Sequence, residues 1–187
     1  MKIKLLLLDF DGTLASTERA NTESYIEALA EQGITLSADE YRARFFGMRC
    51  TEFMEALGIT DTALAEHIRR RKIEIYPSHF DSVHLNEPLW NFATQFRAQG
   101  GKVWVVSTGH PDNLRNAMRY LGVLDKIDGI LSSEDVERSK PAPDAFLKAM
   151  EIEGVTPAET LIFEDSEVGL QAAEASGAAY FKVELPY

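Results

Sequence analysis

Four short stretches of the chain carry residues whose types and spacing suit chemistry on a charged group. Residues 5–13 read LLLLDFDGT, so two carboxylates, Asp9 and Asp11, follow four leucines and precede a glycine. Residues 103–109 read VWVVSTG and end on Ser107 and Thr108. Residues 161–165 read LIFED and end on Glu164 and Asp165. Residues 139–146, SKPAPDAF, supply Lys140. Side chains alternate along a strand, so Asp9 and Asp11 share one side while Phe10 turns to the core. With Glu164 and Asp165 beside them, the acids form a cluster that is costly to bury uncompensated. A hard divalent cation removes that cost. Mg²⁺ prefers carboxylate, carbonyl and water oxygens and keeps room for a phosphate oxygen. Lys140 adds an ammonium, Ser107 a hydroxyl, and the turn after it backbone N–H groups. An anion held by all of these is most economically a phosphoryl group.

The elements that must position these residues are legible as a pattern. Residues 3–9 form a compact apolar run bounded by charge and then by Gly12, which suits a strand buried on both faces of a parallel sheet. Similar runs recur at 102–107, 129–132, 160–164 and 179–184. Helical patterns separate them. Over 87–100, Leu89, Phe92, Ala93 and Phe96 follow the i, i+3, i+4, i+7 spacing, and two glycines close the segment. Residues 111–121 open on a proline, and 143–150 and 167–176 complete the series. Alternating strands and helices predict an α/β fold: right-handed βαβ units in a Rossmann-like open parallel sheet with helices on both faces. In such sheets ligands bind beyond the carboxyl ends of the strands, where the polar groups above fall.

Residues 17–80 break the rhythm. They hold no convincing strand and read as helices over 23–33, 38–46, 52–57 and 63–76. The expected organisation is a core of residues 1–15 and 81–187 with an all-helical cap, residues 16–80, inserted after the first strand. The total of 187 residues accommodates one such domain with an insertion. A net charge of −11 argues against a nucleic-acid partner, which needs a basic face. One cysteine, Cys50, precludes an internal disulfide framework and agrees with a reducing, cytoplasmic setting. The leucine run is too short to span a bilayer, so no membrane partner is expected. The partner expected is a small phosphorylated metabolite, bound by a monomer or small homo-oligomer.

In their order and spacing, DFDGT, the serine closing VWVVS, the lysine of SKPAPDAF and the segment EDSEVGLQAAEASG resemble the four motifs of the haloacid dehalogenase-like superfamily. The helical insertion after the first motif is similar to that of the subgroup containing β-phosphoglucomutase and small sugar-phosphate phosphatases. The resemblance implies phosphoryl transfer through an aspartyl-phosphate with Mg²⁺ as cofactor. Asp9 would be the nucleophile and a metal ligand. Asp11 would serve as general acid and then general base, its backbone carbonyl also reaching the metal. Ser107 would hold the phosphoryl group and Lys140 neutralise charge. Asp165 would complete the metal shell, with Glu164 as a second candidate ligand. Thr108 either shares the role of Ser107 or lines the turn.

For specificity the candidates are Asn21 and Arg49, the latter in the glycine-hinged loop FGMR. Phosphatase action on a sugar phosphate is the leading expectation. A phosphomutase is the alternative, although the mutase typically places a histidine where this chain has Asn21. A non-catalytic phosphate-binding protein is the third reading. Asp144 is expected as a first-turn helix residue, Ser166 and Gly169 as the loop and helix start. The run Arg69-Arg70-Arg71-Lys72 is expected on a solvated helix face, and Trp90, Phe92 and Trp104 in the core.

Overall fold

The computed structural model describes residues 2–185. In chain order the elements are β1 (Leu5–Leu8), β2 (Ala15–Ser16), α1 (Glu18–Ala30), α2 (Ala38–Arg44), α3 (Cys50–Ala56), α4 (Thr62–Ile75), β3 (His84–Leu85), α5 (Glu87–Ala98), β4 (Lys102–Val106), α6 (Pro111–Tyr120), β5 (Gly129–Leu131), α7 (Asp144–Glu153), β6 (Thr160–Glu164), α8 (Glu167–Ser176) and β7 (Ala179–Lys182). The chain divides into two compact units, Met1–Ser16 with His84–Tyr187, and Thr17–Val83.

The first unit is a five-stranded sheet in the order β5-β4-β1-β6-β7. All its pairings are parallel. Parallel strands covered on both faces must be apolar throughout, and β1 meets that demand with four leucines at 0% exposure. Leu5 and Leu7 join Trp104, Val106 and Ile162 under Phe146 and Met150 of α7 and Ala172 and Ala173 of α8. Leu6 and Leu8 face the other way, on the side where α5 packs against β4. Trp104 is buried as expected, and its indole Nε1 donates to Glu153 at 2.7 Å. Helices thus lie on both sides of the sheet, as the sequence pattern requires.

One core expectation on α5 is overturned. Leu89, Trp90 and Ala93 are buried, but Phe92 is 46% exposed. Its ring meets Phe163, which stacks on Phe181 of the edge strand β7. Phe92 therefore covers the margin of the sheet and not its centre. A second feature has no counterpart in the sequence reading: β2 and β3 pair antiparallel, Ser16 with His84, so the chain leaves and re-enters this unit along one short ribbon.

The second unit is built from α1 to α4 and a 3₁₀ segment, Tyr76–Ser82. Its core gathers Leu29, Leu36, Tyr41, Phe45, Phe53, Met54, Ile68 and Ile75. Tyr25 and Tyr41 present their rings to Phe53 at centroid distances of 4.9 and 5.4 Å, both edge-on. Helix α1 begins at Glu18, five residues before the expected Glu23. Its first turns bury Ala20, Thr22 and Ser24, which are small or hydroxylated and give no apolar signal. Thr22 Oγ1 donates to the Glu18 carbonyl at 2.7 Å, which satisfies the hydroxyl inside the helix.

The expected solvated run at 69–72 is also corrected at one position. Arg69 and Arg71 pair with Glu66, Glu31 and Glu74, but Lys72 is only 3% exposed. Its Nζ donates to Asn21 Oδ1 at 2.7 Å and lies 4.0 Å from the ring centre of Tyr76. Lys72 falls between Ile68 and Ile75, on the helix stripe that must be buried.

Candidate active site

The polar ends of β1, β4 and β6 converge because those three strands are neighbours in parallel register. Leu8 pairs with Val105 on one side and Phe163 on the other, so Asp9, the Val106–Ser107 step and Glu164 fall at one level. Gly12 then turns the chain at a φ of +88°, and a Cβ there would overlap the Asp165 carboxylate. Only glycine permits both the turn and the approach. The next residue, Thr13, donates its hydroxyl to Asp165 Oδ1 at 2.9 Å. Thr13 had no role in the sequence reading. Nothing in the sequence marks this contact, which spans 152 positions.

Lys140 reaches the same point from the loop before α7. Its Nζ donates to Asp9 Oδ1 at 2.6 Å and to the Val106 carbonyl at 3.0 Å, and it also pairs with Glu164 Oε1. The Lys140 side chain is 5% exposed. Burial by itself would lower the ammonium pKa, but the Asp9 and Glu164 carboxylates more than compensate and hold it above its ordinary value. Lys140 is therefore a fixed positive charge.

The acids are arranged around it. Carboxylate oxygens of Asp9, Glu164 and Asp165 lie within 4.8 Å of one another, among the described residues the one such group with metal-holding potential. Burial pushes the Asp9 carboxyl well above its usual range. The Glu164, Asp165 and Asp11 charges add to the rise, and Lys140 opposes it. Burial likewise pushes Asp165 up to about 6, against the Thr13 hydrogen bond and with help from Glu164 and Asp11. Three hard oxygen donors gathered beside one ammonium, with the Asp9 and Asp165 carboxyls both pushed upward, fit a divalent, oxygen-preferring cation such as Mg²⁺. Asp11 stands outside this trio. Its Oδ2 accepts from Ser107 Oγ at 3.3 Å. The Ser107 hydroxyl also accepts from Gly109 N at 2.9 Å, which folds the turn over the end of β4. Thr108 is half-buried in that turn.

The remaining sequence candidates fall elsewhere. Asp144 opens α7 and pairs with Arg138, in keeping with a first-turn acid. A residue not among those candidates, His110, caps α6, accepting from Asp112 N at 3.3 Å, and pairs with Glu134. Ser166 caps α8 by accepting from Gly169 N at 3.1 Å. Asn21 and Arg49 belong to the helical unit. Asn21 donates to the Thr17 carbonyl and hydroxyl and accepts from Lys72, whereas Arg49 provides the residue before α3. The structure brings Asp9, Asp11, Ser107, Lys140, Glu164 and Asp165 together within the first unit.

A pH dependence follows from the two raised carboxyls. Both have folded-state pKa values above the unfolded value, near 3.8. The metal-free fold then holds extra protons, and their contribution to stability is lost as pH rises above about 4, in the case of Asp165 through about 6. Cation binding requires the deprotonated acids. The rise in Tm on adding Mg²⁺ is therefore larger at pH 7.5 than at pH 5, by scanning calorimetry. Equal rises at both pH values would contradict this.

Residues 6–183 match the family model described as haloacid dehalogenase-like hydrolase. The chain is 32% identical over 191 residues to protein CbbY of Rhodobacter capsulatus, covering 95% of this chain and 83% of that protein. It is 29% identical over 175 residues to the fructose-1-phosphate phosphatase YqaB of Escherichia coli, covering 92% of each. Its fold matches the crystal structure of CbbY from Rhodobacter sphaeroides in complex with phosphate. That match has a TM-score of 0.87 at 24% identity and covers 97% of this chain and 86% of the other. No described helix is long and apolar enough to cross a membrane.

Proposed function

The chain belongs to the haloacid dehalogenase-like hydrolases and is a phosphoric monoester hydrolase, and on that premise we propose that it hydrolyses a small sugar phosphate with Mg²⁺ through an aspartyl-phosphate. The observation that carries the reading is the placement of Lys140 Nζ against Asp9, with Glu164 and Asp165 closing the acidic wall. A carboxylate is a poor nucleophile toward a phosphate dianion unless nearby positive charge screens the approach. Asp9 and Asp165, with the Asp11 carbonyl and with Glu164 as the further acid, would hold the cation. When bound, Mg²⁺ supplies charge neutralisation between nucleophile and phosphate.

The residues divide the work as follows. A carboxylate oxygen of Asp9 attacks phosphorus, the bond from phosphorus to the leaving oxygen breaks, and Asp11 protonates that oxygen. Asp11, now ionised, takes a proton from water as the water attacks the aspartyl-phosphate. The bond to Asp9 breaks and inorganic phosphate departs. One carboxyl group thus serves as acid and then as base. Ser107, with Thr108, holds the phosphoryl oxygens, and Lys140 neutralises charge as it moves from phosphate to Asp9. In-line transfer depends mainly on such positioning and neutralisation.

The helical unit is assigned the part of a cap that selects the substrate, with Asn21 and Arg49 as its contacts. The likeness to a fructose-1-phosphate phosphatase supports a sugar phosphate. Arg49→Ala is expected to raise KM about tenfold for the physiological sugar phosphate while leaving p-nitrophenyl phosphate nearly unchanged. Equal changes for both would remove Arg49 from the specificity residues. The test of the whole reading is phosphate release from a panel of phosphorylated sugars, with Mg²⁺ and with chelator. Release that is abolished by chelator and restored by Mg²⁺ supports it. Product isomers in place of free phosphate would favour a mutase. No turnover by folded, metal-loaded protein would favour a binding protein.

A further inference from the structure

Glu164 occupies a place that the chain has to leave open for it. Its side chain is 0% exposed and both oxygens are engaged. Oε1 pairs with Lys140 Nζ. Oε2 accepts from Asp165 N at 3.0 Å, Ser166 N at 3.2 Å and Ser166 Oγ at 3.1 Å. The carboxylate lies over Gly169, in the first turn of α8. A Cβ on residue 169 would overlap its Cδ and both of its oxygens. Gly169 is absent from the glycines with positive φ, so conformational freedom does not explain it. Glycine inside a helix is also a weaker choice than alanine. The space above it is the remaining reason for its presence.

We infer that Gly169 is a positioning residue, whose missing side chain seats the Glu164 carboxylate so that Glu164 holds Lys140 against Asp9. The inference deepens the phosphatase reading and rests on it for its kinetic consequence. With alanine at 169, the end of the Glu164 side chain turns away and gives up three hydrogen bonds and its ion pair. Lys140 then keeps Asp9 and the Val106 carbonyl but loses one of two carboxylates. Small displacements of a group that neutralises a transition state can lower turnover by roughly tenfold to a hundredfold.

Three full-length variants test this: Gly169→Ala, Glu164→Asp and the two combined. Aspartate is one methylene shorter and vacates the space over residue 169. Two readouts apply, kcat with a phosphomonoester and the rate at which an amine-reactive ester labels Lys140, read by peptide mass spectrometry. Gly169→Ala should lower kcat roughly tenfold or more and speed Lys140 labelling several-fold. Added to Glu164→Asp, the same alanine should change either readout by no more than about twofold, the signature of one shared contact. If alanine costs as much in the aspartate background as in the natural chain, or leaves Lys140 labelling unaltered, the inference is wrong. Should Gly169→Ala alone fail to fold, the aspartate pair decides: a large further loss on adding alanine overturns the inference. If no variant and no natural protein turns over any phosphomonoester, the phosphatase reading falls while labelling still judges the contact.

Discussion

The Asp9→Asn protein is expected to fold, to melt no lower than the natural one, and to release phosphate at least about 10⁴-fold more slowly. The amide keeps the size of the carboxyl and can still accept from Lys140, which now lies 2.6 Å from Asp9 Oδ1. It lacks the carboxylate that the proposed aspartyl-phosphate requires. The thermal part of the expectation follows from electrostatics. Burial first, and then Glu164 and Asp165, make the ionised form of Asp9 unfavourable. A neutral isostere relieves that repulsion, so Tm without metal stays level or rises, most visibly above neutral pH. Activity within tenfold of the natural enzyme would remove Asp9 from the nucleophile's part.

Lys140→Met is expected to show the opposite thermal sign. Methionine retains most of the aliphatic stem beside the Phe146 ring but removes the charge that compensates Asp9 and Glu164. Removing one partner of a buried pair costs about 3–5 kcal/mol. For a chain of this length that corresponds to a drop of about 10 °C in Tm. Turnover is expected to fall about 10³-fold, because on the proposed mechanism charge moving from phosphate onto Asp9 is no longer met. The deficit in Tm narrows at acid pH, where Asp9 takes up a proton and needs no counter-charge. An unchanged Tm at pH 8 would show that Lys140 does not hold the acids together. The two variants alter neighbouring atoms, yet one relieves the cluster and the other leaves it uncompensated.

The site was legible in the sequence to the extent that strand ends are. A four-leucine run with no polar break suits a buried strand, and its pairing with β4 and β6 puts Asp9, the Val106–Ser107 step and Glu164 at one level. Lys140, in SKPAPDAF, and Asp165, directly after Glu164, took their expected roles from the family resemblance. What stayed hidden were contacts that depend on a neighbour's shape. Gly12 and Gly169 look alike in sequence, but one is required by a turn and both by a carboxylate overhead. Thr13 gave no sign that its hydroxyl would meet Asp165, 152 positions away.

The helical unit was harder to read for a different reason. Its first helix begins on small and hydroxylated residues, so its apolar stripe starts late. Lys72 sat in a run of four cations and read as solvated. The spacing Ile68, Lys72, Ile75 carries the correction, since one helix face takes all three inward. Phe92 erred in the opposite direction. Its position satisfies the helical spacing of α5, but that stripe is wider than the sheet beneath it. Phe92 ends beside Phe163 and Phe181 at the margin.

The most direct measurement is chemical capture of the intermediate. The enzyme is mixed with its phosphomonoester and Mg²⁺, quenched during turnover, and treated with borohydride. Borohydride reduces an acyl phosphate of aspartate to homoserine, which peptide mass spectrometry locates by position. Homoserine at position 9, missing without substrate and in Asp9→Asn, is the expected result. Turnover with no reduced residue at position 9 would contradict the shared aspartyl-phosphate on which every role above depends.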